Sequence, residues 1–322
     1  LPPPAPPPPP PPPPAAASTV YTLSTIEVPS STTATGEGVQ SSVVEYSNMS
    51  GPASATAAIT SLNQVDLYLD VATDSSGYLY VCSVNLFDDT QGSVLVFAPT
   101  ASGMVAPLRT ITLSGDPSFI AVDYAGNIYV ATVPLKGPLP AMILEFAAGA
   151  NGNATPVRTL TLPFDTTTGV GAPEGLAVDG SGDIVYASYT GTGSDMIQVY
   201  SPGQSGNAAP ARTISGAQSQ LLQIGGLALD ASGNIYAATQ TQQDLTPNLL
   251  EFSGGTNGAA TPINSISGKA AMLGQTSGLA VDAAGNIYVS GSTGLLRFTP
   301  GATGNATPSI EGLYGGGHIA VH

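Results

Sequence analysis

The chain has 322 residues with 6 Lys+Arg, 21 Asp+Glu and a net charge of -15. So few cations exclude a phosphate-binding, nucleic-acid-recognising surface and a polybasic membrane-surface patch. No run approaches the ~18 consecutive apolar residues of a membrane-spanning helix, so no membrane insertion is expected.

The chain begins on Leu1, which reads as a processed or trimmed end. Twelve of its 29 prolines fall in the first fourteen residues: Pro2, Pro3, Pro4, Pro6, Pro7, Pro8, Pro9, Pro10, Pro11, Pro12, Pro13 and Pro14. Proline fixes φ and lacks an N–H, so this run predicts a polyproline II arm over residues 1–17. Fourteen such residues span about 43 Å at ~3.1 Å each. The globular remainder has a radius of gyration of about 19 Å. The arm is therefore long enough to dock on a neighbouring copy, and a homo-oligomer through this arm is the expected partnership.

Downstream, one motif recurs. Its cleanest copy is Ala280-Val281-Asp282-Ala283-Ala284-Gly285-Asn286-Ile287-Tyr288-Val289, and its aspartates are Asp74, Asp123, Asp179, Asp230 and Asp282. The spacing between them is 49 to 56 residues. A carboxylate that caps turn amides, followed by a Gly free to take a left-handed conformation, predicts a tight structural turn between two strands. A second motif is an apolar run ending on an aromatic (Tyr46, Phe97, Phe146, Tyr200, Phe252, Phe298), then a Gly-rich turn and a Pro-containing outer strand.

Four short strands of period two in each unit of about 50 residues predict a β-propeller. Six copies of the second motif stand against five of the first. The missing inner strand is His318-Ile319-Ala320-Val321-His322, with His322 in the turn-Asp position. The expectation is an all-β, six-bladed propeller of four-stranded blades over residues 18–322, closed by the C-terminal strand completing the first blade. The blades fall at about 18–63 plus 318–322, 64–114, 115–164, 165–219, 220–270 and 271–317.

The repeat Gly278-Leu279-Ala280-Val281-Asp282-Ala283-Ala284-Gly285-Asn286-Ile287-Tyr288-Val289 and its copies resemble the NHL-repeat class of six-bladed propellers. Members often carry an Asp after the Tyr-Val strand. Here the continuations are Ala131-Thr132, Ala187-Ser188, Ala238-Thr239 and Ser290-Gly291.

The resemblance extends to gluconolactonase-like propellers, in which a metal is held near the axis by Glu, Asn and Asp. The residues entering the inner strands here are Leu69-Asp70, Ser118-Phe119, Glu174-Gly175, Gly225-Gly226, Ser277-Gly278 and Gly317-His318. Asp70, Glu174 and His318 are the weak candidates to converge at the mouth. Two carboxylates fall short of the six or more oxygens a hard cation takes, so no metal, cofactor or catalytic residue is assigned. Both histidines lie in the terminal strand, which leaves no convincing Ser-His-Asp arrangement.

Cys82 is the single cysteine; it lies in a strand-like run and reads as a buried thiol. Glu145 and Arg158 read as a cross-strand surface pair. Asn48, Asn153 and Asn305 head Asn-x-Ser/Thr triplets, so glycans are possible partners and turn residues the plain alternative.

With little chemistry assigned to the ring, the sequence points to a non-enzymatic extracellular or cell-surface structural protein. It would be a self-assembling filament or surface-appendage subunit whose proline arm docks on the next copy. Two alternatives stand beside it: a secreted or cell-surface ligand-binding propeller with the arm as a stalk, and a lactonase-like metal-dependent hydrolase.

Overall fold

A computed structural model describes residues 18–29, 37–47, 54–86, 92–133, 140–165, 168–191, 195–240, 246–312 and 316–322. The proline arm (1–17) and Asn48 lie outside the described residues. No helix among the described residues is long and apolar enough to cross a membrane.

The strands follow in chain order. The first blade contributes β1 (Val20–Pro29), β2 (Glu37–Tyr46) and β3 (Ala57–Thr60). The second is β4 (Asp66–Thr73), β5 (Leu79–Asn85), β6 (Gly92–Phe97) and β7 (Arg109–Thr112). The third is β8 (Asp116–Val122), β9 (Ile128–Val133), β10 (Ala141–Phe146) and β11 (Arg158–Leu162). The fourth is β12 (Pro173–Val178), β13 (Ile184–Ser188), β14 (Met196–Tyr200) and β15 (Arg212–Ile214). The fifth is β16 (Gly226–Leu229), β17 (Ile235–Gln240), β18 (Pro247–Phe252) and β19 (Asn264–Ser267). The sixth is β20 (Thr276–Val281), β21 (Ile287–Gly291), β22 (Gly294–Phe298) and β23 (Ser309–Gly312), and the chain ends in β24 (Ile319–Val321).

Each sheet is an antiparallel meander. β24 joins β1, giving the order β24-β1-β2-β3 in the first blade. Val20, Tyr21 and Thr22 pair with Val321, Ala320 and Ile319, and β24 packs between β20 and β4. The inner strands thus form a closed ring, as the repeat count predicts.

Burial follows the two-residue period. The aromatics that end the third strands (Tyr46, Phe97, Phe146, Tyr200, Phe252, Phe298) are all buried, wedged between neighbouring blades. Inner strands approach so closely that a Cβ on Gly226 would stand 2.8 Å from the Leu279 Cβ, which explains glycine there.

The outer edges are less open than the sequence suggests. Pro107, Pro156, Pro210, Pro262 and Pro308 stand just before the outer strands rather than within them. That spares the ladder a missing donor. Ile59, Ile111, Leu160, Ile214 and Ile266 each take a parallel bridge from a glycine in the next blade's turn: Gly103, Gly152, Gly206, Gly258 and Gly304. These latches pair part of the outer edge in five blades.

The Glu145–Arg158 ion pair is also more than a surface contact. Its side chains keep only 16% and 11% exposure, and the guanidinium lies 5.9 Å from the Tyr129 ring centre. Cys82 is fully buried, and burial pushes its thiol pKa up.

Candidate functional site

The ring has two axial mouths. The inner strands end at the lower mouth, a cavity of about 830 Å³ lined from all six blades, with Ser18, Tyr124, the five turn aspartates and His322 around it. Its carboxylates are engaged in the turns. Asp123 is representative: Oδ1 accepts from the Ala125 and Asn127 amides at 2.9 and 2.8 Å, and Oδ2 from Asn127 Nδ2 and the Tyr129 hydroxyl at 2.9 and 3.1 Å. Gly126 closes that turn at φ 81°. Asp230 and Asp282 repeat the pattern, and Asp74 and Asp179 keep its backbone part. Burial alone would raise the pKa of Asp282, but hydrogen bonds from Asn286, Ser18 and Tyr288 outweigh it and hold it below the usual range.

The inner strands begin at the upper mouth. The pairing of β4, β8, β12 and β20 with their neighbours slips by one residue at Leu69, Ser118, Glu174 and Ser277, so each carries a bulge at the same level. The residues just past it form one layer around the axis: Asp70, Phe119, Gly175, Gly226, Gly278 and, on β24's approach, His318. Three contiguous blades therefore present His318, Asp70 and Phe119, and the opposite three present glycine.

Asp70 is 6% exposed and ties three blades together. Its Oδ1 accepts from the Val71 amide at 2.9 Å and faces His318 Nδ1 at 3.0 Å; its Oδ2 accepts from the Ile120 amide at 2.7 Å. The His318 ring leans on Phe119, with centres 5.1 Å apart, and its side chain keeps 31% exposure. Burial disfavours the imidazolium, but the Asp70 charge and hydrogen bond outweigh burial and hold the histidine pKa above its ordinary 6.5. Nε2 is the ring nitrogen that Asp70 does not engage.

Glu174 does not join this group. As the extra residue of its bulge, it stands one position out of step with Asp70, and in a strand that step reverses the side chain. It meets Asp195 instead, 2% exposed at the start of β14. Burial first, then the Asp195 charge and hydrogen bond, push the Glu174 pKa up to about 8, against an opposing hydrogen bond from the Ile224 amide. Glu174 Oε2 is buried without a hydrogen-bond partner.

Asp195 was invisible in the sequence. It ends a Gly/Ser-rich connection between β13 and β14, no other blade has an acid at the matching position, and its only signal is a lone charge ahead of the apolar run Met196-Ile197. On the second strands, Ser83, Thr132, Ser188 and Thr239 are buried at matching positions, and Ser290 is buried one position earlier, opposite Gly278.

The residues present do not fit a resident metal. Asp70 is taken up by two amides and His318, Glu174 turns away to Asp195, and no group of three His, Cys, Asp or Glu among the described residues is placed to hold an ion. Of the triplet asparagines, Asn153 is exposed beside a cavity between the second and third blades. Asn305 uses its Oδ1 to accept from the Ala270 amide at 2.7 Å.

No protein-family model matches the chain. No curated protein matches it either. Solved structures do match its shape. A PQQ-bound aldose sugar dehydrogenase from Streptomyces coelicolor aligns with a TM-score of 0.50 at 16% identity, over 79% of this chain and 84% of that one. A gluconolactonase from Xanthomonas campestris aligns with a TM-score of 0.51 at 14% identity, over 80% and 81%. Hydrazine synthase from Kuenenia stuttgartiensis aligns with a TM-score of 0.53 at 15% identity, over 81% and 72%.

The fold class is therefore a six-bladed β-propeller. The expectation of a non-enzymatic, filament-forming subunit is corrected here. It took a sparsely decorated ring for a passive body, yet rings of this shape are a dehydrogenase and a lactonase.

Proposed function

We propose that the protein is an acid–base hydrolase working at the upper mouth on small cyclic or activated esters. The observation that carries this reading is the Asp70–His318 pair: a carboxylate fixed by two backbone amides holds Nδ1 of a part-exposed imidazole and leaves its Nε2 unengaged by Asp70.

In this reading Asp70 sets the tautomer and orientation of the ring, and stabilises the imidazolium once it forms. Nε2 takes a proton from water as the water oxygen bonds to the ester carbonyl carbon. The tetrahedral adduct then breaks its C–O bond, and the imidazolium returns the proton to the departing alkoxide. Phe119 supplies an apolar wall beside the ring. The lactone class is suggested by the gluconolactonase among the structural neighbours.

The test is proton release from a panel of γ- and δ-lactones and aryl esters. General-base catalysis of this kind contributes about 10²–10⁴-fold, so His318→Asn is expected to lose at least about 100-fold in kcat with the fold intact. A panel that the wild-type protein does not turn over above buffer would refute the reading.

A further inference from the structure

The fourth blade holds a buried acid, Asp195, and a half-buried one, Glu174, whose Oε2 is buried, and among the described residues no cation stands beside them. Asp195 is 2% exposed, and its Oδ1 faces the Thr190 amide at 3.4 Å. Its own amide donates to the Leu221 carbonyl at 2.8 Å, in the connection that leads to the fifth blade. Amides of Gln223 and Ile224 in that same connection also donate to Asp195, and the Ile224 amide reaches Glu174 too.

This connection is held in an unusual shape. Gln220 and Gln223 take φ 57° and 47°, the left-handed region that residues with a Cβ rarely occupy. Leu221 and Ile224 anchor it by burial, and the Gln240 amide donates to the Leu222 carbonyl at 2.9 Å. Only Gln220 has a counterpart elsewhere, Met272 at the end of the matching 3₁₀ turn of the sixth blade. The backward turn at Gln223 is peculiar to the place where two amides face the acid pair.

Two ionised carboxylates in this position would repel each other, with only backbone amides to offset the repulsion. One proton between them converts repulsion into a hydrogen bond. We propose that Glu174 and Asp195 share one proton as a pH-sensitive latch. The latch fastens the upper-mouth end of the fourth blade (β12 and Asp195) to the connection over residues 215–225, and it releases when the pair loses that proton. The charged and titratable groups around it support this. Tyr186 of β13 lies beside Glu174, its hydroxyl donating to the Gly171 carbonyl at 3.0 Å, and Tyr200 of β14 lies behind Tyr186. Arg212 of β15 faces Asp183 at 3.3 Å, but at the other end of the blade, opposite Val199, and so does not reach the pair. The 215–225 connection itself carries no ionisable side chain.

The sign follows from proton counting. In the open state Glu174 titrates near its ordinary 4.5, and in the closed state at about 8. Between those values the closed state binds the extra proton, so rising pH favours opening by up to about tenfold per unit. Above about 8 the effect levels off. The latch does not depend on the hydrolase reading, because its readout is structural.

Hydrogen exchange of the whole chain, expressed as protection factors at pH 6 and pH 8.5, tests it. Protection of the Asp195, Gln223 and Ile224 amides is expected to fall at least tenfold in the wild type. In Glu174→Gln and in Asp195→Asn it should change by less than about threefold, since an amide holds the hydrogen bond at either pH. Two variants keep the test open should one of them not fold. Equal protection at both pH values in the wild type overturns the proposal, as does an undiminished pH response in a folded variant. Restoration of protection at pH 8.5 by added Ca²⁺ or Mg²⁺ overturns it too, by making the pair a cation site.

Discussion

Removing residues 318–322 takes away the strand that closes the ring. Three backbone hydrogen bonds at its ends are lost: Thr19 N–H to the His322 carbonyl (2.9 Å), His322 N–H to the Thr19 carbonyl (2.9 Å) and Leu23 N–H to the His318 carbonyl (3.1 Å). The ladder pairs of Val20, Tyr21 and Thr22 go with them, and so does the Thr73 hydroxyl bond to the Val321 carbonyl at 3.0 Å. At about 1 kcal/mol net per hydrogen bond these contacts amount to about 4–5 kcal/mol. Exposing the apolar surface around buried Ile319 and Ala320 adds about 2–4 kcal/mol. The total, about 6–9 kcal/mol, is comparable with the whole stability of a typical domain, about 5–15 kcal/mol. The edge of β1 would also be uncovered for pairing with other chains. Urea unfolding and size-exclusion chromatography of a chain ending at Gly317 should therefore show an unfolded or oligomeric species, and added peptide of sequence 318–322 should restore the monomer. A truncated monomer within about 1 kcal/mol of the full chain would refute closure by this strand.

Two further outcomes follow from the same geometry. Asp70→Asn removes the charge that holds the His318 pKa above 6.5, so the contribution of the pair is present below 6.5 and fades as pH rises through the raised value. Denaturant titrations should find the variant weakened by about 1–3 kcal/mol at pH 5.5 and by clearly less at pH 9; an equal loss at both would assign Asp70 only to its two amides. Gly226→Ala places a Cβ 2.8 Å from the Leu279 Cβ and 3.0 Å from its amide nitrogen, and should cost about 1–3 kcal/mol in thermal unfolding, whereas no loss would mean that the inner strands yield freely.

Much of this architecture is legible in the residues. The Asp-x-x-Gly turn is repeated because each blade needs it, and its carboxylates are spent on their own turn amides. The closing strand is legible because His318–His322 lacks the partner that every other copy has beside it. The mouth is only partly legible. Spacing brings Asp70 and His318 to one layer, but a two-residue period assumes an unbroken strand. The bulge at Glu174 breaks the period and carries that carboxyl to Asp195. The Asp195 partnership rests on an acid that no other blade has at the matching position, so no repeat comparison announces it. The shared layer of Phe119 and His318 depends on ring closure, which sets residues 199 positions apart side by side.

The central claim is that Asp70 and His318 form a working acid–base pair at the upper mouth. Its most direct measurement is the pH dependence of kcat/KM for lactone hydrolysis, wild type against Asp70→Asn. In the wild type kcat/KM should rise with pH through a value above 6.5, because the base form of His318 appears only past its raised pKa. In Asp70→Asn that inflection should move down toward 6.5 as turnover falls. An inflection unmoved by the substitution, or turnover that survives it undiminished, would mean that Asp70 and His318 do not work as an acid–base pair.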